Sequence, residues 1–344
     1  MAKLSSPMTQ MHWVRSQPLR LTGLVLSIGA LLICLIASVV YGAADIELST
    51  IYAALTHFDG SAEHLIIRTV RLPRSLIAMT VGAALAVAGA IMQGLTRNPL
   101  ADPKLLGINS GAVLAVVLAI FLFQVSAVSV YIWFAFLGAG IAAIAVYLLG
   151  SLGRGGLTPL KLTLAGAALM FLLDSLALGI LILSQRTLDE IRFWWAGSVA
   201  GKDLSLFLQI LPYMGVGLGL AIALSKPLTA LTLGEDVAKG LGLQTTQIKL
   251  AAALSVVLLA GSSVAIAGPI GFVGLVVPHI VRFWVGIDYR WILPYTAVFG
   301  GILLLLADIS ARLLIKPQEL PVGIMTMLIG APFFIYLARW QVKR

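Results

Sequence analysis

Arg71 and Arg74 flank Leu72-Pro73 at the start of an apolar stretch, with Arg68 just before them, and Arg312 follows Asp308 by four residues at the end of another. Guanidinium groups form bidentate pairs with carboxylates. The arginines therefore read in two ways: as docking groups for an acidic partner, or as locally neutralised charges, as an Asp308–Arg312 pair one helical turn apart would be. Asp174 stands near the middle of an apolar run, where a carboxylate must face a cavity or a partner. It is either a pathway group or a protonated or hydrogen-bonded structural one. The segment Arg97–Gly111 carries Pro99 and Pro103 within five residues. Prolines stop a helix and force irregular backbone, which at membrane depth must be buried in protein or line water. Asn98, Pro99 and Leu100 are accordingly candidates for a gate or hinge; the other reading is an ordinary turn. A last feature is 235–241, a short helical stretch closed by Gly240 and Gly242 inside the long segment 225–248.

Catalytic groupings are missing. Gly197-Ser-Val-Ala-Gly201-Lys202-Asp203 imitates a P-loop, but its glycines are one residue too close and Asp replaces the Ser or Thr that would hold magnesium. The four histidines, His12, His57, His64 and His279, are scattered, and no metal-binding spacing occurs. Gly107-Ile-Asn-Ser110-Gly111 only faintly imitates an intramembrane serine nucleophile, and no base is placed for it. No catalytic residue, metal site or cofactor is expected.

The elements that would hold these residues follow from composition. The chain has 344 residues, 60% hydrophobic and 11% charged, against about 25% charged for an ordinary soluble domain. That excludes a soluble enzyme, a disordered chain and a disulfide scaffold; the one cysteine, Cys34, cannot form an intrachain bridge. The fold class expected is all-α: a polytopic membrane protein of about ten transmembrane helices, forming one domain over 1–344. Apolar runs place the spans at 19–41, 72–94, 105–123, 130–149, 162–184, 205–224, 249–267, 270–286, 291–311 and 321–338. Three segments between spans are more than tight loops: 43–70 and 185–204 read as outer and 225–248 as inner. With both termini cytoplasmic, 15 of the 23 Lys and Arg residues fall on the inner side, as the positive-inside rule requires. The +9 net charge is then explained by topology and anionic lipid, with no nucleic acid partner. All seven tryptophans fall near span ends, as interfacial anchors should. Small residues at three- and four-residue spacing, as in Gly82-Ala-Ala-Leu-Ala86-Val-Ala-Gly89, allow close helix approach.

Taken together, the motifs resemble the permease subunit of bacterial ABC importers for iron–siderophores, haem and cobalamin, the type II importer fold. The resemblance runs from about Leu19 to Trp340. It rests on Arg71-Leu-Pro-Arg74, Arg97–Gly111, Leu162-Thr-Leu-Ala-Gly166, Arg192-Phe-Trp-Trp-Ala-Gly197, Leu233–Gly242, Gly268–His279, Leu306-Ala-Asp-Ile-Ser-Ala-Arg312, Leu320-Pro-Val-Gly-Ile and Ile329-Gly-Ala-Pro332. It implies that Arg71, Arg74 and Arg312 dock a substrate-binding protein. It implies that Gly234, Glu235, Ala238, Leu241 and Gly242 belong to the coupling segment that meets an ATPase subunit. Asn98, Pro99 and Leu100, with Pro159 and Leu160, would narrow the inner gate, and Asp174 would lie along the pathway, although an acid there departs from the family pattern. The implied partners are a second permease subunit, identical or homologous, two ATP-binding subunits and an extracytoplasmic binding protein, in a bacterial cytoplasmic (inner) membrane. The wording of Thr96–Asp102 and Arg192–Gly197 is closer to ferric-siderophore members; haem or cobalamin import is the alternative, and an ion-coupled secondary transporter a more remote one.

Overall fold

The computed structural model describes residues 17–42, 46–124, 127–152, 158–315 and 318–342. Of the basic residues counted for topology, Lys3, Arg15, Arg154, Lys316, Lys343 and Arg344 lie outside these, as does Trp13. The described chain is helical throughout, in the order α1 (Gln17–Val40), α2 (Leu48–Thr56), α3 (Ala62–Leu65), α4 (Leu72–Thr96), α5 (Ile108–Phe123), α6 (Val128–Ser151), α7 (Pro159–Leu183), α8 (Gln185–Trp195), α9 (Leu204–Ala223), α10 (Ser225–Leu233), α11 (Glu235–Gly240), α12 (Thr245–Ala267), α13 (Val273–Val285), α14 (Tyr289–Leu313) and α15 (Val322–Val342). Among the described residues, seven helical stretches are long and apolar enough to cross a membrane, and the apolar stretches Ile108–Phe123, Val273–Val285 and Val322–Ile335 are shorter.

Helix α4 is the axis of the bundle. Its membrane-length stretch is 78% buried, against 11% for α1 and 17% for α7, and it packs on α14, α12, α13 and α1. Its small residues make this possible. A Cβ on Gly82 would run into the carbonyl of Gly300 on α14, and one on Gly89 into the carbonyl of Gly274 on α13. The same device joins α5 to α6, where Gly111 and Gly138 face each other's backbone. In lipid, without a hydrophobic drive between helices, such close backbone approach is what holds a bundle together.

Several expected boundaries shift. The segment expected to be more than a tight loop, described from 46 to 70, is helical: α2, α3 and a π-helical stretch Ile66–Arg71 lead straight into α4, and Val39, Ile51, Ala54 and Ile67 form a small core there. The segment 185–204 contains α8, whose Ser184 caps it through Thr187 N–H. The span expected from 105 starts at Ile108, because Gly107 turns left-handed at φ 70° after a 3-10 turn over Pro103–Leu106. The span expected from 270 starts at Val273, after Phe272 at φ 69°. Trp194, expected as an interfacial anchor, is buried, and its indole N–H donates to the Ala265 carbonyl at 3.4 Å.

Candidate functional site

Two constellations lie at opposite ends of α4. At its first turn, Arg74 reaches Asp308 of α14 through Nε, 3.1 Å from both carboxylate oxygens, and through Nη2, 2.9 Å from Oδ1. Its Nη1 donates to Glu319 Oε2 at 2.6 Å. Arg312 approaches the same carboxylate from one helical turn along α14, Nη2 to Oδ2 at 3.0 Å. Its Nη1 donates to the carbonyls of Ser38 (2.9 Å) and Tyr41 (2.7 Å), and its Nη2 to the Ser38 hydroxyl at 2.8 Å. Arg71 donates to the carbonyls of Val39 (3.0 Å) and Val40 (2.7 Å). Two guanidinium groups thus close the C-terminal end of α1, where carbonyls are left without intrahelical partners and the helix dipole favours cations.

The three arginines expected to dock a binding protein are thus bonded within the chain. Arg71, Arg74 and Arg312 are 4%, 6% and 2% exposed, and all three are engaged inside the chain. The local-neutralisation alternative describes Asp308 and Arg312, and Arg74 joins them. Ser38 and Glu319 were not singled out from the sequence; nothing in their spacing ties them to arginines of other helices.

At the other end of α4 lies the proline-rich segment. Arg97 ends α4 in the left-handed region at φ 49°. The Asn98 side chain accepts from Leu100 N–H at 3.0 Å, and Asp102 accepts from Lys104 N–H at 3.0 Å. Burial raises the Asp102 carboxyl above the ordinary carboxylate range, against the lowering effect of Lys104. Across from it Thr158 caps α7 through Lys161 N–H, with Pro159 in the first turn. Arg97, Thr158 and Pro159 line one cavity; of the gate candidates Asn98, Pro99, Leu100, Pro159 and Leu160, Pro159 is the one in its lining. Asn98, Pro99 and Leu160 are exposed, and Leu100 and Pro159 half-buried.

The segment 225–248, expected to meet an ATPase subunit, folds as α10, α11 and the start of α12. Gly234 at φ 134° and Gly242 at φ 78° supply backbone conformations that a side chain would strain. Glu235 anchors α11: its Oε2 accepts from Lys249 of α12 at 2.7 Å, and its Oε1 lies 3.4 Å from Lys239 and 3.3 Å from the Thr245 hydroxyl. The Lys249 hydrogen bond in particular holds the Glu235 carboxyl below its usual range. Ala238 is fully buried with Leu231 and Ile248, so it packs the segment rather than presenting a face. The outward apolar residues are Leu233, Val237 and Leu241, four apart in sequence and 58%, 48% and 66% exposed. Leu233 and Val237 had gone unremarked as surface groups; the four-residue spacing was the available signal.

Asp174 lies on the outward side of α7 with Phe171, Leu172 and Ser175, all exposed. No hydrogen bond or ion pair of Asp174 occurs among the described residues, and no group of metal-binding side chains occurs among them either.

Comparison with known proteins decides what this arrangement belongs to. The profile of the FecCD transport family matches residues 30–340. The chain belongs to the FecCD transport family. Among its relatives, a probable siderophore transport system permease protein of Bacillus subtilis is 51% identical, over 93% of this chain and 96% of that protein. The ferric enterobactin transport system permease protein of Escherichia coli is 42% identical, over 92% and 95%. A solved structure, a metal-chelate type ABC transporter in an inward-facing conformation, superposes at TM-score 0.81 with 33% identity, covering 94% of this chain and 99% of that one. As a FecCD member with several apolar helices, the chain is a multi-pass membrane protein of the permease kind.

Proposed function

We propose that the protein is the membrane-spanning subunit of an ATP-driven importer that moves ferric-siderophore complexes into a bacterial cytoplasm. The observation that carries this is the FecCD match along nearly the whole chain, with siderophore, hydroxamate and citrate permeases among relatives at 47–51% identity. In this reading ten helices span the inner membrane: α1, α4, α5, α6, α7, α9, α12, α13, α14 and α15, with both termini cytoplasmic. The arginine cluster then lies at the outer face, and α10, α11 and the 97–107 turn lie at the inner one.

Each site takes a role from its geometry. Two copies of the chain, or this chain and a similar one, form the path, with the exposed side of α7 and Asp174 facing it. A carboxylate at mid-span facing lipid would be costly; facing a wet path it is not. Two ATP-binding subunits meet the face made by Leu233, Val237 and Leu241, while Gly234, Glu235, Ala238 and Gly242 hold that face in shape. Asn98, Pro99, Leu100, Pro159 and Leu160 narrow the inner exit. Arg71, Arg74 and Arg312 serve the binding protein by bracing α1, α4 and α14 beneath its landing surface rather than as free cations.

The test is reconstitution with ATP-binding subunits and a loaded binding protein. ATP-dependent accumulation of a radiolabelled ferric chelate is expected, with no hydrolysis by the permease alone. Failure to transport any ferric chelate or haem with a competent ATPase bound would refute the reading.

A further inference from the structure

The cavity of about 390 Å³ that Arg97, Thr158 and Pro159 line lies between α4, α6, α7 and α12, and no occupant has been given to it above. Its far end is apolar, lined by Met92, Gly140, Ala143 and Val257; its mouth carries Arg97, Thr158, Glu235 and Lys249. The charged residues lie at helix ends on the α11 side, beside Leu95, Leu162 and Leu231, whereas the lining toward the middles of α6 and α12, Gly140, Ala143, Ala253 and Val257, is apolar, so charge is confined to one end of the cavity. Its size falls in the roughly 300–1,000 Å³ range of small-molecule sites. An apolar void of this size would not hold ordered water, and left empty its walls would forfeit dispersion contacts. It opens sideways as well: Ile144 of α6 and Leu250 and Leu254 of α12 line it and are also exposed.

We propose that this cavity holds a phospholipid of the inner leaflet, with an acyl chain in the apolar end and an anionic headgroup at Arg97 and Lys249. The lateral opening through exposed leucine and isoleucine selects an occupant arriving from hydrocarbon rather than from water. The mouth carries two cations against one carboxylate, Glu235, and Glu235 is already held by Lys249 at 2.7 Å. The spare positive charge belongs to Arg97, which is exposed and forms no ion pair among the described residues. The lipid thereby touches both the turn that follows α4 and the pin between α11 and α12, so leaflet composition acts on the coupling segment. The inference rests on the placement of α11 at the cytoplasmic face proposed above.

The test uses the permease with its ATP-binding subunits in phosphatidylcholine nanodiscs doped with phosphatidylglycerol carrying a photoactivatable group in one acyl chain. Crosslinks are expected on Ile144, Tyr147 or Leu254. Gly140 offers a filling variant, since a Cβ there meets nothing within 4 Å. Gly140→Phe abolishes those crosslinks while leaving labelling of the α1 lipid face unchanged. Arg97→Gln, a surface change that leaves folding alone, lowers cavity labelling by phosphatidylglycerol about fivefold, the factor for one surface cation at about 1 kcal/mol, and leaves labelling by the phosphatidylcholine analogue unaltered. Equal cavity labelling by both lipids in the wild type overturns the anionic assignment. Labelling confined to lipid-facing helices, or lost once the ATP-binding subunits are present, overturns the lipid site, because a protein surface then fills it. The readout needs no transport, so it fails or succeeds independently of the importer reading; α11 found on the outer face would instead refute the placement.

Discussion

Replacing Asp308 with Asn tests whether the arginine cluster is a structural brace. The carboxylate is fully buried, held by Arg74 at 2.9 and 3.1 Å and by Arg312 at 3.0 Å. Counting Arg71, Arg74 and Arg312 against Asp308 and Glu319, the cluster carries +1, and the substitution raises it to +2. Two buried guanidinium groups then lose their shared counter-charge while Arg74 retains only Glu319. Breaking a buried pair by removing one partner costs about 3–5 kcal/mol, chiefly through the charge left uncompensated. Glu319 is a control: its side chain is 31% exposed, so water shields Arg74 when Glu319→Gln removes it, and the loss is at most about 1 kcal/mol. The assay is the thermal midpoint of the purified permease in one detergent, with no binding protein present. Asp308→Asn is expected to lower it strongly and Glu319→Gln slightly. Asp308→Ala with Arg312→Ala together should cost less than the sum of the two, since the first loss already removes part of the second. A midpoint for Asp308→Asn equal to wild type would refute the brace. It would return Arg74 and Arg312 to the role of free docking cations, whose effect should appear only as weaker, salt-sensitive binding-protein affinity.

Three other outcomes are expected. Leu241→Asp should abolish coupling of ATP hydrolysis to uptake with an unchanged thermal midpoint, whereas Ala238→Asp, placing a carboxylate among Leu231 and Ile248, should lower the midpoint itself; paired ATPase and melting measurements separate them. The Glu235 pin should fail in acid. Its folded-state pKa lies below the ordinary glutamate value of about 4.3, so its contribution is full above that value and is lost as pH falls through the lowered one. A spin label on Gly240→Cys, in a background with Cys34→Ser, should stay ordered at neutral pH and gain mobility only once the pH falls below the ordinary glutamate range; Glu235→Gln should make it mobile at neutral pH. Asp174→Cys should react with a water-soluble thiol reagent at a rate that changes between nucleotide states, and a thiol unreactive in every state would place Asp174 against protein or lipid.

Much of this protein is legible in the one-dimensional pattern. Apolar runs of about 20 residues can satisfy their backbone in lipid only as helices, so the positions of α1, α4, α6, α7, α9, α12 and α14 follow from composition. The α11 helix was legible as well: it is expected over 235–241, closed by Gly240 and Gly242, and it ends at Gly240 with Gly242 at a positive φ that few other residues tolerate. The proline turn after α4 was legible for the matching reason that proline cannot continue a helix. What the pattern could not carry is which way a side chain faces and what meets it there. Arg74 and Asp308 are 234 residues apart in sequence, and their meeting depends on Gly82 and Gly300 letting α4 and α14 touch backbone to backbone. An arginine at a span end looks the same in sequence whether it faces water or caps another helix. Only the packed bundle, by bringing the carbonyl end of α1 against Arg71 and Arg312, turned three apparent surface cations into buried ones. Tertiary structure likewise decided that Ala238 faces inward while Leu241 faces out, because the Glu235–Lys249 bond fixes how α11 is rolled against α12. The cavity between α4, α6, α7 and α12 is a property of four helices at once, and no single stretch of the chain contains it.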